Sequence, residues 1–282
     1  MKPPVLITGA TGVLGREIVV SAVDSGLVIR QGARNPANAN PAFEAVRFDY
    51  TDPPMIATAL EGIVALVLMA PPLEAKAPEL LAPVIAAAKV AKLQHIVFVS
   101  AFGVNHNEQA PLRVVEHMII DCGVPYTIVR PNFFMENFSV GFASGSVREQ
   151  NAIVLAAGDG KTSFISAKDI AAVVVAALRQ AKTGIEVDLT GPAALDHTKV
   201  AQILSEATGQ TIVYHSLTEE QMLDGARARG MPEPIVEYLG VLYGVVRAGY
   251  AAGVAPYPDF VGGRQPMTFE SFAKSMAKGE TA

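Results

Sequence analysis

The chain has a single cysteine, Cys122, and no tryptophan among its 282 residues. One cysteine excludes an internal disulfide and a zinc site built from several thiolates, and it suits a reducing compartment such as the cytoplasm. Charged residues make up only 17% of the chain and the net charge is −5, so we expect no basic surface for nucleic acid or for an anionic membrane. The apolar runs are too short or too often broken to span a bilayer.

Motifs of several other enzyme classes are also missing. The five histidines show neither HExxH nor any comparable metal-ligand spacing, so no metal site is expected. There is no GxSxG elbow, which removes the usual nucleophile of acyl hydrolases. There is no GxxxxGK[ST] loop either, which excludes the common mononucleotide site of P-loop proteins.

What the chain does have is a glycine-rich turn near its start. The apolar residues 5–8 lead through Gly9, Gly12 and Gly15 into an amphipathic helix. The free N–H groups and the positive dipole end of such a helix favour a bound pyrophosphate. In this arrangement Gly9 permits a tight turn, Gly12 the close approach of phosphate, and Gly15 close packing of helix on strand. We predict a dinucleotide site; the alternative is a tight turn with a purely structural role.

Strand-like and helix-like segments alternate through the first 190 residues. This alternation predicts an α/β fold, a Rossmann-type doubly wound parallel sheet with a smaller α+β C-terminal substrate lobe. The seven predicted strands of the sheet span residues 5–8, 27–33, 46–48, 64–69, 95–100, 126–130 and 184–189. We assign residues 1–132 and 166–190 to the dinucleotide-binding domain, and residues 133–165 and 191–282 to the smaller lobe. Because ligands of open α/β sheets bind at the carboxyl ends of the strands, we expect the lobe to close over that edge.

The second predicted strand indicates which dinucleotide is bound. NAD-binding chains usually carry an acid about 20 residues beyond the glycines, where it bonds the ribose 2′-OH. Residues 27–40 contain no acid, and Arg34 stands at the end of the strand instead. A guanidinium there can grip a 2′-phosphate with two hydrogen bonds. We therefore predict NADP(H) in preference to NAD(H); the alternative is a solvated surface arginine.

Further cofactor contacts are predicted where the other strands end. Asp49, after the third strand, can accept the adenine amino group, although it could instead be an ordinary helix cap. Ser100 closes the fifth strand at the expected height of the nicotinamide. The cofactor residues predicted in this way are Gly9, Thr11, Gly12, Val13, Leu14, Gly15, Arg34, Asp49, Tyr50, Met69, Ala70, Pro71 and Ser100.

Several of these segments together resemble the NmrA-like group of atypical short-chain dehydrogenases/reductases. The resemblance is carried by TGATGVLG at 8–15, RNP at 34–36, FDY at 48–50 and VPYTIVRPNFFMEN at 124–137. It continues through ISAKDIA at 165–171 and QILSE at 202–206, and so covers nearly the whole chain. Within the group, the chain is most similar to NAD(P)H-dependent quinone and triphenylmethane-dye reductases.

The resemblance implies a Rossmann domain with a small C-terminal lobe and NADP(H) as cofactor. It also implies that Pro131, Asn132 and Phe133 lie on the backbone that passes the nicotinamide. Residues 133–138 match the segment that lines the substrate pocket in the group. The predicted substrate contacts are Phe102, Phe134, Asn137 and Phe138.

The chain departs from the group in its catalytic residues. Most short-chain reductases use a Tyr-x-x-x-Lys pair to pass a proton to a carbonyl, and none of the seven tyrosines here has a lysine four residues on. Some relatives keep a lysine on the helix after the fifth strand, which here spans residues 111–121 and has none. Three catalytic candidates remain. They are Ser100, Asn137, for which a turn or a helix cap is the alternative, and His117, for which a surface or core position is the alternative. We expect Glu116 to pair locally with Arg113.

From these observations we predict an enzyme, an NADPH-dependent oxidoreductase that transfers hydride to a small conjugated or aromatic acceptor such as a quinone. Such an acceptor takes hydride at an electron-poor carbon without a strong general acid. The alternative is a non-catalytic NADP(H)-sensing regulatory protein of the NmrA type; a third is an isomerase or lyase on the same fold. We expect a small-molecule substrate and neither nucleic acid nor membrane as partner. We expect a cytoplasmic monomer or homodimer.

Overall fold

The computed structural model describes residues 4–141 and 143–279, which form two compact units. The first unit comprises the chain up to Pro131 together with Ala167–Asp188 and Pro258–Arg264. The second comprises Asn132–Ser166, Leu189–Tyr257 and the chain from Gln265 onward. The short segment Pro258–Arg264, which the sequence analysis placed in the smaller lobe, groups with the first unit.

The first unit is built on a seven-stranded sheet with the order β3-β2-β1-β4-β5-β6-β8. The strands are β1 Val5–Ile7, β2 Ile29–Ala33, β3 Glu44–Arg47, β4 Ala65–Met69, β5 His95–Val99, β6 Tyr126–Pro131 and β8 Ile185–Leu189. The five neighbouring pairs from β3 to β6 are parallel. The predicted Rossmann-type fold class is confirmed. The strand order reverses between β1 and β4, which is where sheets of this kind bind their ligand.

Helices cover both faces of this sheet. Those of the first unit are α1 Val13–Asp24, α2 Pro53–Leu60, α3 Ala77–Val90, α4 Pro111–Cys122 and α6 Ala167–Arg179. Helices α2, α3 and α4 share one apolar core with the sheet, around buried residues such as Ile56, Leu81 and Ile119. Helices α1 and α6 pack against each other. Strand β4, which is buried up to Leu68, is continuously apolar because both faces of a parallel sheet are covered.

The second unit combines short strands and helices. Its elements are α5 Ser144–Gln150, β7 Ala152–Leu155, α7 His197–Thr208, β9 Val213–Ser216, α8 Glu219–Ala228, α9 Glu233–Arg247 and α10 Phe269–Ala277. Strands β7 and β9 form a separate parallel pair. Helix α8 begins with a capping box, in which Thr218 and Gln221 bond each other's backbone N–H groups. No helix in the described part of the chain is long and apolar enough to cross a membrane.

Candidate functional site

The glycine turn joins β1 to α1 with a geometry that only small residues allow. Gly9 has a φ of +61°, a left-handed conformation that favours glycine, and its carbonyl accepts a hydrogen bond of 2.9 Å from the N–H of Gly12. A Cβ placed on Gly15 would lie 2.1 Å from the Gly9 carbonyl oxygen. Gly15 therefore lets the first turn of α1 lie directly on the turn that precedes it.

The first turn of α1 offers open N–H groups. Gly12 is the N-cap and has no side chain to cap the helix, and there is no acid in the first turn. Within the described chain, the N–H groups of Val13 and Leu14 have no acceptor. Gly12 and Val13 are exposed, Val13 to 39%, so the start of the helix, with the positive end of its dipole, faces solvent. This turn therefore fits the diphosphate of a dinucleotide.

A buried hydroxyl fixes the strand ends beside this turn. The Oγ1 of Thr8 donates to the Val67 carbonyl at 3.1 Å and accepts from the Met69 N–H at 3.0 Å. The Tyr50 hydroxyl donates to the Met69 carbonyl at 2.5 Å, and burial raises the pKa of Tyr50 to about 12, which keeps the phenol protonated. The ends of β1 and β4 are thereby tied to the segment after β3. Thr8 was not among the predicted site residues. A polar residue directly after an apolar strand is the sequence feature that could have indicated it.

Predicted cofactor residues meet at this edge. The methyl group of Met69 lies 3.4 Å from the position of a Cβ on Gly9, so the end of β4 adjoins the glycine turn. Ala70 and Pro71 follow β4 and are half-buried. The Tyr50 hydroxyl donates its proton to Met69, so this side chain cannot also donate a hydrogen bond to a cofactor.

Asp49 and Arg34 occupy the outer corner of the same edge. The Oδ1 of Asp49 accepts hydrogen bonds from the N–H and the hydroxyl of Thr51, at 2.9 and 2.7 Å. These bonds, together with the nearby Arg47 and Arg34, hold the pKa of Asp49 below its usual range. Its Oδ2 has no hydrogen bond within the described residues, so one oxygen is free to accept an adenine amino group. Arg34 follows β2 directly and is exposed.

Ser100 lies at the carboxyl end of β5 beside a buried ion pair. Its side chain is 6% exposed, and its hydroxyl has no hydrogen-bond partner of ordinary geometry within the described chain. The neighbouring Glu116 is fully buried and accepts from Nε and Nη2 of Arg130, both at 2.8 Å. Arg113 donates a further bond of 2.9 Å to Glu116. Burial by itself would raise the pKa of Glu116, but the hydrogen bonds from Arg130 and Arg113, together with the nearby Ser100 hydroxyl, hold it below its usual range.

Glu116 has more partners than the expected Arg113. Glu116 does contact Arg113, but its two-oxygen partner is Arg130, which the sequence analysis did not assign to it. Arg130 also pairs with Glu186 and lies 3.7 Å from Asp188 on β8. The other candidate on α4, His117, is half-exposed, and its Nε2 lies 2.7 Å from Oε2 of Glu108. This pairing corresponds to the surface position that was the alternative for His117.

The remaining first-unit candidates are Phe102, which follows β5, and Pro131, which ends β6. The N–H of Phe102 donates to the carbonyl of Pro131 at 3.0 Å, which brings these two predicted residues together. Phe102 is half-buried. Among the described residues, no group of three metal-ligating side chains comes together.

The candidates of the second unit divide into interior and partly exposed groups. The amide of Asn132 donates to Oγ of Ser163 at 2.7 Å and to the Ala251 carbonyl at 2.8 Å. Its Oδ1 accepts from the N–H of Phe133 at 2.9 Å, so its side chain is fully engaged within the unit. Phe133, Phe134 and Asn137 are half-buried.

Phe138 is a correction to the predicted substrate contacts. Its side chain is 2% exposed and packs edge-on against Phe164 and Phe269, with ring centroids 5.3 and 5.5 Å away. Aromatic pairs of this geometry stabilise a core. Phe138 therefore belongs to the interior of the second unit rather than to a pocket wall.

The sheet order, the glycine turn and the open N-terminus of α1 define a Rossmann-type dinucleotide-binding protein. Residues 9–181 match a family model described as NAD(P)H-binding. The chain belongs to this NAD(P)H-binding family. The predicted binding of an NAD(P)-type dinucleotide is thereby confirmed.

Individual relatives and solved structures resemble the chain over nearly its full length. The NAD(P)H azoreductase of Xenophilus azovorans is 32% identical over 286 residues, which cover 97% of this chain and 98% of the relative. The crystal structure of an NADPH-dependent quinone oxidoreductase from Escherichia coli with NADPH has a TM-score of 0.81 at 25% identity, and covers 96% of this chain and 99% of its own. The Citrobacter sp. triphenylmethane reductase with NADP(H) has a TM-score of 0.82 at 22% identity, covers 98% and 99% of the two chains, and shows the fold. The predicted NmrA-like family is confirmed.

Proposed function

We propose that the protein is an NADPH-dependent oxidoreductase that transfers hydride to a small conjugated or aromatic acceptor such as a quinone. The observation that carries this proposal is the open N-terminus of α1 behind the glycine turn, with Arg34 at the end of an acid-free β2. The azoreductase and quinone oxidoreductase relatives support it, because each is named for reduction with a nicotinamide cofactor. We further propose that it acts in the cytoplasm, as a monomer or homodimer.

The residues of the first unit have distinct roles in this proposal. The N–H groups of Val13 and Leu14 hold the diphosphate, Arg34 binds the 2′-phosphate, and Oδ2 of Asp49 accepts the adenine amino group. The bound cofactor supplies the hydride. Ser100 lies at the end of β5, at the proposed height of the nicotinamide, with its hydroxyl buried beside Glu116.

Proposed contacts in the other segments follow the family resemblance. The backbone of Pro131, Asn132 and Phe133 contacts the cofactor, whereas Phe102, Phe134 and Asn137 contact the substrate. Aromatic rings suit a flat conjugated acceptor, which can stack on them. A quinone needs no protein acid of high strength, so the absence of a Tyr-x-x-x-Lys pair is compatible with this reaction.

A turnover assay distinguishes an NADPH-dependent reductase from a non-catalytic NADP(H) sensor. Oxidation of NADPH is followed by its absorbance with a panel of quinones, azo dyes and triphenylmethane dyes. We expect turnover with at least one of these acceptors, and none with a saturated ketone, which needs a proton donor for its reduction. Tight cofactor binding without turnover of any acceptor would instead support a non-catalytic NADP(H) sensor, which the missing Tyr-x-x-x-Lys pair favours.

The charge of Arg34 provides a prediction about the cofactor. We expect Arg34→Glu to weaken NADPH binding by about tenfold or more, because it replaces a charge-assisted contact to the 2′-phosphate by repulsion. NADH has no 2′-phosphate, so its affinity should change much less. Fluorescence titration of both cofactors gives the two dissociation constants, and Lys89→Glu in the last turn of α3 is the matched charge control. Equal losses for NADPH and NADH would contradict the assignment.

A further inference from the structure

A second arginine lies close to Arg34 on the neighbouring strand. Strands β2 and β3 are parallel, with Ala33 opposite Arg47. The N–H of Phe48 donates to the Ala33 carbonyl at 2.9 Å, which holds the ends of the two strands together. Because Arg34 follows Ala33 directly, both arginines lie at the carboxyl ends of adjacent strands. Both are exposed.

Neither arginine has an ion-pair partner among the described residues. At the opposite end of the same two strands, Arg30 and Glu44 pair at 2.7 Å, so that acid is already engaged. Asp49 lies near both Arg34 and Arg47, and its Oδ1 is held by Thr51. Both guanidinium groups act on this carboxylate and lower its pKa. Two positive charges thus act on one carboxylate at this corner, on a chain whose net charge is −5.

Hydrogen bonds from a buried side chain and within the loop hold the loop that carries Arg34. The side chain of Gln31 is 1% exposed, donates to the Asn40 carbonyl at 2.9 Å and accepts from the Asn40 N–H at 3.0 Å. Within the loop, Oδ1 of Asn35 accepts from the N–H of Ala37 at 3.1 Å. The loop after β2 is therefore held at both ends, next to the end of β3. Two like charges kept close together without a partner are unfavourable until an anion neutralises them.

We propose that Arg47 is a second cation of the 2′-phosphate site and that it determines, together with Arg34, the preference for NADPH over NADH. The proposal rests on the proposed function, since it assigns a residue to the cofactor of that reaction. A 2′-phosphate carries close to two negative charges at neutral pH and three acceptor oxygens, so it matches two guanidinium groups better than one. The adjacent Asp49 remains available to the adenine.

The experiment compares two ligands that differ only by the 2′-phosphate. Adenosine 2′,5′-bisphosphate and AMP are titrated calorimetrically into the full chain and its Arg34→Gln, Arg47→Gln and Lys89→Gln variants. We expect Arg47→Gln to weaken binding of the bisphosphate about tenfold and binding of AMP less than about twofold, as for loss of one charge-assisted contact. Lys89→Gln removes the same charge from the end of α3 and should change neither affinity. Thermal melting checks that each variant is folded.

The outcomes separate this proposal from the proposed function. If Arg34→Gln weakens the bisphosphate but Arg47→Gln does not, Arg47 lies outside the phosphate site and only this inference is overturned. An equal loss of both ligands in Arg47→Gln would also overturn it, because Arg47 would then act on the shared adenosine or on the fold. If the unsubstituted chain binds both ligands equally, the preference for NADPH fails as well. In the double variant we expect the two ligands to bind with nearly equal affinity.

Discussion

Replacing Arg130 by methionine is expected to destabilise the protein by about 4 kcal/mol at neutral pH, since removal of one partner strands a buried charge. Arg130 is 4% exposed and forms the two-oxygen pair with the fully buried Glu116. It is also the partner of Glu186 and, at 3.7 Å, of Asp188. Without Arg130, the carboxylates of Glu116, Glu186 and Asp188 lose the cation that they share. Only Arg113 then remains to neutralise Glu116.

The loss should depend on pH in a defined direction. In the intact network the hydrogen bonds hold the pKa of Glu116 below its usual range, so the network stabilises the fold above that range and is lost as the pH falls. In Arg130→Met, burial is the dominant influence and raises the pKa of Glu116. Protonation then relieves the stranded charge, so the difference in stability between the two proteins should narrow as the pH falls from 7 to about 5.

A double substitution distinguishes a stranded charge from lost packing. Urea denaturation gives the free energy of unfolding of the Arg130→Met, Glu116→Leu and double variants. We expect the double variant to be more stable than Arg130→Met alone, because an apolar pair leaves no buried charge without a partner. Additive losses, or a loss below about 1 kcal/mol in Arg130→Met, would show that the network contributes little.

The elements of the Rossmann sheet were predictable because each has a local signal. β4 is continuously apolar, β5 is apolar after its first residue, His95, and α1 follows its glycine turn directly. The predicted strands at 64–69 and 95–100 therefore nearly coincide with the observed ones. In contrast, α5 and β7 were missed. Helix α5 has seven residues, which include two serines and a glycine, and β7 has four, so neither is long enough to show a period.

The side-chain contacts of the site were less predictable than its backbone. Arg130 bonds Glu116 and Glu186, which lie 14 and 56 residues away, and no local pattern indicates such a pairing. Phe138 was assigned to a pocket because residues 133–138 match the segment that lines the substrate pocket in the group. Within such a segment, an aromatic residue in a pocket wall and one in a core have the same sequence signal. Only the positions of Phe164 and Phe269 around it decide between the two.

Because two of its histidines are buried, we predict that the protein loses stability in mild acid. His95 and His197 are 5% and 2% exposed, and burial lowers the pKa of each to about 4. Nε2 of His95 lies 2.8 Å from the Thr127 hydroxyl, whereas Nδ1 of His197 has no partner in the described chain. In the unfolded chain both titrate near 6.5, so each contributes full stability above that pH and loses it as the pH falls towards 4. The largest loss is about 3 kcal/mol for each histidine.

His197→Phe tests this prediction because the site accepts an aromatic ring. The imidazole lies among Phe164, Tyr214 and Phe138, with ring centroids 5.6, 5.4 and 6.2 Å away. The variant keeps these contacts and cannot take up a proton, so its stability between pH 6.5 and 5 should fall with a slope smaller by about one proton. Urea unfolding at a series of pH values gives the slope, with the exposed His215→Gln as control. An unchanged slope in His197→Phe would mean that this imidazole does not resist protonation, because its burial would then leave the pKa near that of the unfolded chain.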